Sequence, residues 1–345
     1  VTIADVATLA GVSATSVSNV LNGRLSRMRS GTKDRILSAI KQLGYTPNLA
    51  ARQLKTGHSQ LIGLVVPSVA NPFYGNLARY VEEVALDSGY QVMLGNSNRD
   101  PERELQYAEQ LWGAGVSGII IGTSLTSMTH LEDLIHQGMH IITFDRPPQD
   151  DDRIVTDSIY IDNLQIMRLL VRHLAALGHK RIGLITGPVQ TVSRNARLEG
   201  YRVSLKESGL SFENNLVWEG HAKNFGDVSA VELGRQGAHH LLSMVNPPTA
   251  IIAMNDIYAF GVYAGARDLG LRIPGDISLT GIDNLPLTEI VEPPLTTVEQ
   301  PIEEMATLTV SRLLERLEGM KEESPQHRKI SPSLKVRAST ARCKR

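Results

Sequence analysis

Apolar positions in the first 45 residues recur at helical spacing. Val6, Leu9 and Ala10 stand at i, i+3 and i+4, and Val17, Val20 and Leu21 repeat that spacing, with Gly11, Val12 and Ser13 between the two sets. Two short helices sharing one apolar face are expected. Thr2 and Asp5 form a capping pair for the first, and Ser13 can cap the second just after Gly11, whose permissive backbone suits a tight turn. This is helix-turn-helix spacing. A third amphipathic helix is predicted over residues 32–43, with Ile36, Leu37, Ile40 and Leu43 inward and Gly44 as its stop. Residues 48–55 form a helix-prone octet before Gly57. Isolated helices shorter than about 12–15 residues are marginal in water, so the octet reads as a hinge that folds only against a partner.

From residue 61 the pattern changes. Short apolar runs at 61–66, 91–94, 118–121 and 141–144 alternate with amphipathic segments at 71–88, 101–112 and 129–137. A second series follows, with helical segments at 165–176, 195–208, 231–243 and 257–268 and apolar runs at 181–185, 250–253 and 278–282; a last strand is expected around 335–337. Continuous apolar runs alternating with helices predict parallel sheets covered on both faces. The fold class is therefore a small all-α helix-turn-helix domain plus an α/β body of two parallel-sheet subdomains, with a cleft where the carboxyl ends of the strands meet. The expected boundaries are 1–46 for the helical domain, 47–60 for the hinge helix and linker, and 61–345 for the body.

Charge sharpens this division. The first 58 residues hold eight Lys/Arg and two acidic residues, a net +6, whereas the remaining 27 basic and 34 acidic residues carry −7. A basic head suits an anionic partner, either nucleic acid or an anionic membrane surface. No apolar stretch reaches the about 18–20 residues that cross a bilayer, and residues 1–11 show no secretory signal, so a cytoplasmic location and no membrane partner are expected. With Cys343 as the sole cysteine, neither an intrachain disulfide nor a cysteine-based metal cluster can form.

Candidate chemistry is mostly negative for catalysis. Residues 113–118, Gly-Ala-Gly-Val-Ser-Gly, fit the dinucleotide fingerprint, but that motif needs a strand before and a helix after, and here the order is reversed. They read as a helix-ending turn, so no cofactor is expected. His239 and His240 are adjacent on a helix and point apart, and no phosphate loop or nucleophile elbow is present, so no enzyme is expected. Binding chemistry is better represented. Asn71 and Pro72 open a helix just before Phe73 and Tyr74, an aromatic pair placed to stack on a ring at the cleft mouth. Asp145 with Arg146, Asn255 with Asp256, and Asp283 with Asn284 each follow an apolar run, so polar groups converge where strands end and can hold several hydroxyls.

Separated motifs along the whole chain carry a family resemblance. They are Thr2-Ile3-Ala4-Asp5-Val6-Ala7 with Ala10-Gly11-Val12-Ser13; Val17 through Gly23; Leu43-Gly44-Tyr45-Thr46-Pro47-Asn48; Ala50-Ala51-Arg52-Gln53-Leu54; Ile62-Gly63-Leu64-Val65 with Asn71-Pro72-Phe73; Asp145-Arg146; Leu177-Gly178-His179; Arg197 through Tyr201; and Pro294 through Val298. In this order the chain resembles LacI/GalR-type transcriptional regulators. The resemblance implies a body like type I periplasmic binding proteins, serving effector binding and dimerisation, and a second helix that docks in the major groove of double-stranded DNA. It also implies that Thr15 and Asn19 face base edges, that Ser13, Ser16, Asn22, Tyr45 and Asn48 hold phosphates, and that Leu54 and Lys55 enter the minor groove. Asn19 can pair bidentately with adenine. In the body it implies effector contacts from Phe73, Tyr74, Asp145, Ser193, Arg197, Asn255 and Asp283, with Arg146 an addition and Phe225 a candidate for a further aromatic.

The reading that follows is a homodimeric repressor of a pseudo-palindromic operator, controlled by a small sugar or sugar derivative bound in the cleft. Inducer and corepressor stay open. The alternatives are a member of the same family controlled chiefly by a partner protein and, further off, a solute-binding protein.

Overall fold

The computed structural model describes residues 1–21, 28–46, 59–221, 228–319 and 324–344. It divides into two compact units, 1–59 and 60–345, which are taken separately.

In the first unit, helix α1 spans Ile3–Ala10, α2 spans Ala14–Leu21 and α3 spans Ser30–Leu43. The predicted capping pair forms in full: Asp5 N donates to Thr2 Oγ1 at 3.3 Å and Thr2 N to Asp5 Oδ2 at 2.7 Å. Gly11 ends α1 at φ 62°, a left-handed conformation that a side chain would strain. Val6, Ala7, Ala10, Val17, Ile36 and Ala39 form the core, and three short helices are each held by that shared burial rather than by propensity. Helix α3 begins two residues earlier than the periodicity suggests.

The second unit contains two six-stranded sheets. The first holds β1 (Leu61–Val66), β2 (Gln91–Asn96), β3 (Gly118–Ile121), β4 (His140–Phe144), β5 (Asp157–Ile161) and β11 (His327–Ile330) in the order β11-β5-β4-β3-β1-β2. The second holds β6 (Ile182–Thr186), β7 (Val217–Glu219), β8 (Ala250–Ala253), β9 (Ser278–Asp283), β10 (Thr296–Glu299) and β12 (Ser333–Lys335) in the order β12-β10-β9-β8-β6-β7. Among the described residues every pairing is parallel except β10 with β12.

Helices cover the sheet faces: α4 (Pro72–Asp87), α5 (Pro101–Gly113), α6 (Glu132–His136), α7 (Asn163–Ala176), α8 (Val192–Glu207), α9 (Ala230–Leu242), α10 (Asp256–Asp268) and α11 (Ile302–Leu317). Helix α4 shows why. Asn71 Oδ1 accepts from Phe73 N at 3.1 Å, Pro72 occupies the first turn, and Phe73, Leu77, Val81 and Ala85, spaced by four, are buried. Each large apolar side chain so buried contributes about 1.5–3 kcal/mol. The chain passes between the sheets three times, after β5, after β10 and between β11 and β12.

Several expectations are corrected. Strand β2 runs two residues beyond the apolar run, to Asn96, and the segment 129–137 is a 3-10 turn followed by the short α6. Strands β5, β7, β10 and β11 and helix α11 fall outside the predicted elements, and the last strand lies at 333–335, not 335–337: β5 mixes Asp157, Ser158 and Tyr160 with two isoleucines, β7 and β10 are only three and four residues long, and β11 is largely polar, so none of these strands has the apolar run that marked the others. The glycine motif at 113–118 does end α5 and lead into β3, with Gly115 at φ 76°. Among the described residues no helix is long and apolar enough to cross a membrane.

Candidate functional sites

In the helical unit, α2 offers one polar face. Thr15 and Asn19, four apart, lie on the side opposite the buried Val17. Ser13 Oγ accepts from Ser16 N at 3.2 Å and lies 3.0 Å from Ser16 Oγ, so both hydroxyls sit at the amino end of α2, where backbone N–H groups favour an anion. Tyr45 packs half-buried against the head core. Asn22, Asn48, Leu54, Lys55 and Phe225 lie outside the described residues.

In the body, the carboxyl ends of strands from both sheets open onto one cleft. Asn71, Phe73 and Tyr74 follow β1, and Arg99 follows β2. Asp145 comes from the end of β4. From the second sheet come Thr191, Ser193, Arg194 and Arg197 after β6, Met254 and Asn255 after β8, Asp283 at the end of β9 and Gln300 after β10. Phe73 and Tyr74 meet edge to face, ring centres 5.1 Å apart, and also belong to the core.

Three of these residues lie in strained backbone. Arg99, Asp145 and Asp283 have φ of 58°, 56° and 116°; with Asn98 and Asn284 they are the only non-glycine residues at positive φ among those described. Such conformations cost of order 1–3 kcal/mol and persist where the surroundings enforce them, as at binding sites.

The carboxylates are electrostatically poised. Burial pushes Asp145 up to about 6 and Asp283 up to about 7, while the Arg197 guanidinium pulls both back toward ionisation. Burial also raises the Tyr74 phenol to about 12 and lowers Arg194 to about 10. Gln300 Nε2 donates to Asp283 Oδ1 at 2.6 Å, and Arg197 donates from Nε to Asn163 Oδ1 at 2.7 Å and from Nη1 to the Met254 carbonyl at 2.8 Å. Two acceptors, Asp145 Oδ1 and Gln300 Oε1, are buried without a hydrogen-bond partner. An unmatched buried acceptor costs about 1–3 kcal/mol, which a ligand hydroxyl would recover.

Of the body residues singled out from sequence, Phe73, Tyr74, Asp145, Ser193, Arg197, Asn255 and Asp283 share this cleft. Arg146 does not. It points away from its neighbour Asp145 and is 1% exposed, with Nη1 and Nη2 each donating to an Asp152 carboxylate oxygen at 2.7 Å and Nε to the Leu125 carbonyl at 2.8 Å. Successive residues leaving a strand face opposite sides, so a polar pair delivers one member to the cleft. The same rule turns Asp256 inward onto Thr297 Oγ1 and Leu285 N, and Asn284 onto Glu299 and Arg337. The sequence reading missed Arg99, Thr191, Arg194 and Gln300. Arg194 carried a usable signal, since it precedes Arg197 by three on one helix face; Arg99 was hidden by the early end assigned to β2.

The comparisons agree with this architecture. Residues 2–48 match the model for bacterial regulatory proteins of the lacI family, and residues 171–340 that for a periplasmic binding protein-like domain. The chain is 35% identical to the HTH-type transcriptional regulator DegA of Bacillus subtilis (strain 168), covering 99% of this chain and 98% of that protein. Among solved structures it is similar to the lac repressor dimer bound to operator and the anti-inducer ONPF, at a TM-score of 0.85, 29% identity and 99% coverage of both chains. It is also similar to a complex of the transcriptional regulator CelR with cellobiose, at a TM-score of 0.69 and 28% identity over 98% of this chain and 99% of that one. These relatives are regulators of transcription, and with identity of this order along nearly its whole length the chain belongs to the LacI family of DNA-binding transcriptional regulators.

Proposed function

We propose that the protein is a homodimeric repressor whose affinity for a two-fold-symmetric operator changes when a small sugar or sugar-derived metabolite occupies the cleft of the body. The observation that carries this reading is the pair of buried, partnerless acceptors, Asp145 Oδ1 and Gln300 Oε1, in a cleft lined from both sheets. A polyhydroxylated ligand supplies donors to both, the Phe73 and Tyr74 pair supplies an aromatic wall, and Asn255 and Asp283 add further polar contacts. The solved relatives support the reading by what they hold, operator DNA and an anti-inducer in one and cellobiose in another. In the head, Thr15 and Asn19 read base edges while Ser13, Ser16 and Tyr45 hold phosphates, with Asn22, Asn48, Leu54 and Lys55 extending the contact.

Coupling follows from differential affinity: a ligand that binds one disposition of the subdomains more tightly shifts the population competent for DNA. The test is to retain genomic DNA fragments on the pure protein at stated salt and sequence them, with Asn19→Ala beside it, then to repeat operator binding with saturating ligand. A shared two-fold site, lost in Asn19→Ala and changed in affinity by ligand, is expected. Retention without a common site would refute sequence-specific regulation, and an operator affinity indifferent to bound ligand would refute the coupling.

A further inference from the structure

The two carboxylates that line the cleft have partners suited to the ionised form, yet the set is one donor short. Gln300 Nε2 donates to Asp283 Oδ1 at 2.6 Å. The Ile161 N–H and the Asn163 side chain draw Asp145 toward its charged form, and Arg197, on α8, attracts both carboxylates. Against these stand burial, at 8% exposure for Asp145 and 6% for Asp283, and the like charge that Asp145 presents to Asp283. Asp145 Oδ1 is buried with no hydrogen-bond partner, and so is Gln300 Oε1 on the side chain that holds Asp283. A buried ionised oxygen without a donor is costly, and taking up a proton relieves that cost.

The neighbouring groups do not change this balance. The Tyr74 hydroxyl, on α4, faces both carboxylates and stays protonated, its phenol raised to about 12. Asp256, at the start of α10, faces Asp283; its own oxygens accept from Thr297 Oγ1 and Leu285 N, and Arg337 attracts it. Arg99 faces Tyr74, Tyr258 and Glu104, and Arg194 faces Tyr258, Tyr74 and the guanidinium groups of Arg99 and Arg197.

We infer that, before a ligand binds, the Asp145 and Asp283 pair holds a proton near neutral pH, and that a neutral polyhydroxylated ligand releases it to solvent by donating hydroxyls to the two carboxylates. This rests on the cleft being the effector site and adds that the site responds to pH as well as to ligand. Hydrogen bonds to an ionised acceptor are roughly twice as strong as neutral ones, so ligand hydroxyls favour the charged pair. A group more readily ionised in the complex than in the free protein makes affinity rise with pH until the free protein is itself ionised. Burial places that rise between about 6, for Asp145, and about 7, for Asp283.

The test is titration calorimetry of the full-length protein with ribose, glucose, galactose and cellobiose, neutral sugars that do not titrate in this range, in buffers of unlike ionisation enthalpy from pH 5.5 to pH 8.5. For a sugar that binds, release of about half a proton is expected at pH 7, more below it and almost none at pH 8.5, with affinity about 10-fold higher at pH 8 than at pH 6. Asp283→Asn, checked for folding by thermal melting, should bind more weakly, lose most of the release and flatten the profile. Infrared difference spectra give a readout that needs no ligand. The carboxylic-acid band present in the wild type at pH 6 and gone at pH 9 should be missing from the double variant Asp145→Asn/Asp283→Asn, and a binding sugar should diminish it at pH 6. Proton uptake on binding, no proton exchange, an affinity flat from pH 6 to pH 8, or no such band would each overturn the proposal and leave the effector-site reading standing. That reading fails by a different result, silence from every sugar or a sugar whose binding is unmoved by Asn255→Ala, and takes the proposal with it.

Discussion

Replacing Asp283 by asparagine should stabilise the protein at alkaline pH and hardly at all in acid. The side chain is 6% exposed, accepts from Gln300 Nε2, and is pushed by burial from 3.8 to about 7 despite the pull of Arg197. Between those values the folded chain binds more protons at this site than the unfolded chain, so stability falls as pH rises. It is fully present below pH 3.8 and lost through about pH 7. About three pH units at 1.36 kcal/mol each set a ceiling of about 4 kcal/mol. Asparagine keeps the shape and the acceptor for Gln300 but must itself be desolvated, so a gain of about 1–3 kcal/mol at pH 8 is expected. For a body of this size that raises Tm by roughly 2 °C or more per kcal/mol. Thermal melts of both proteins from pH 4 to pH 9 should show a gap that widens to about pH 8 and is flat above it. A gap independent of pH, or a variant that melts lower at pH 8, would refute the assignment of a buried, reluctantly ionised carboxylate. The same substitution should weaken sugar binding, the expected trade where a site holds a charge the fold would be more stable without.

Three further outcomes follow from other contacts. Arg146→Met strands the Asp152 carboxylate, whose side chain is 6% exposed, and should cost about 3–5 kcal/mol in urea unfolding; adding Asp152→Leu should recover much of it, and ligand affinity should stay within about twofold. Gly281→Ala would drive a methyl group into Asp256 Oδ1, which accepts from Thr297 Oγ1 at 2.6 Å while Oδ2 of the same carboxylate accepts from Leu285 N at 2.9 Å, and should destabilise by about 1–3 kcal/mol, read as a lower urea midpoint. Asn19→Ala should remove about 1–3 kcal/mol of operator binding in competition assays at fixed salt while leaving non-specific DNA affinity unchanged.

What was legible in the sequence followed from periodicity, and what was hidden followed from its absence. The three head helices, the alternating body and the reversed glycine motif were readable because apolar spacing and turn residues agreed. Strand β5 was hidden because Asp157 is a buried anchor for Arg312 and Arg316, so a charged residue sits where an apolar one marks other strands. Asp145 and Arg146 show the limit for sites. Adjacent polar residues at a strand end look alike in sequence, and only the direction in which each leaves the strand decides which lines the cleft and which becomes an internal ion pair. Arg99 needed the true end of β2, two residues beyond the apolar run, to be placed at all.

The three crossings between the sheets explain how ligand groups connect to the frame that would have to move. Asn163, which orients Arg197, begins α7 immediately after the first crossing, and Gln300, which holds Asp283, lies on the second. The third runs between β11 and β12, and Asp162 N donates to the Ile330 carbonyl at 3.0 Å, tying it to the first. The side chains proposed to grip a ligand are therefore bonded to the segments that join one subdomain to the other, and a ligand that repositioned Arg197 or Asp283 would act on those segments directly. Packed interfaces respond to such shifts by switching between discrete arrangements rather than deforming smoothly. Asn163→Ala loosens the Arg197 link without removing a cleft-lining side chain. It should thus lower the change in operator affinity produced by saturating ligand more than it lowers ligand affinity itself. Equal losses in both would mean that Asn163 serves binding alone, and that the crossings carry no signal from the cleft.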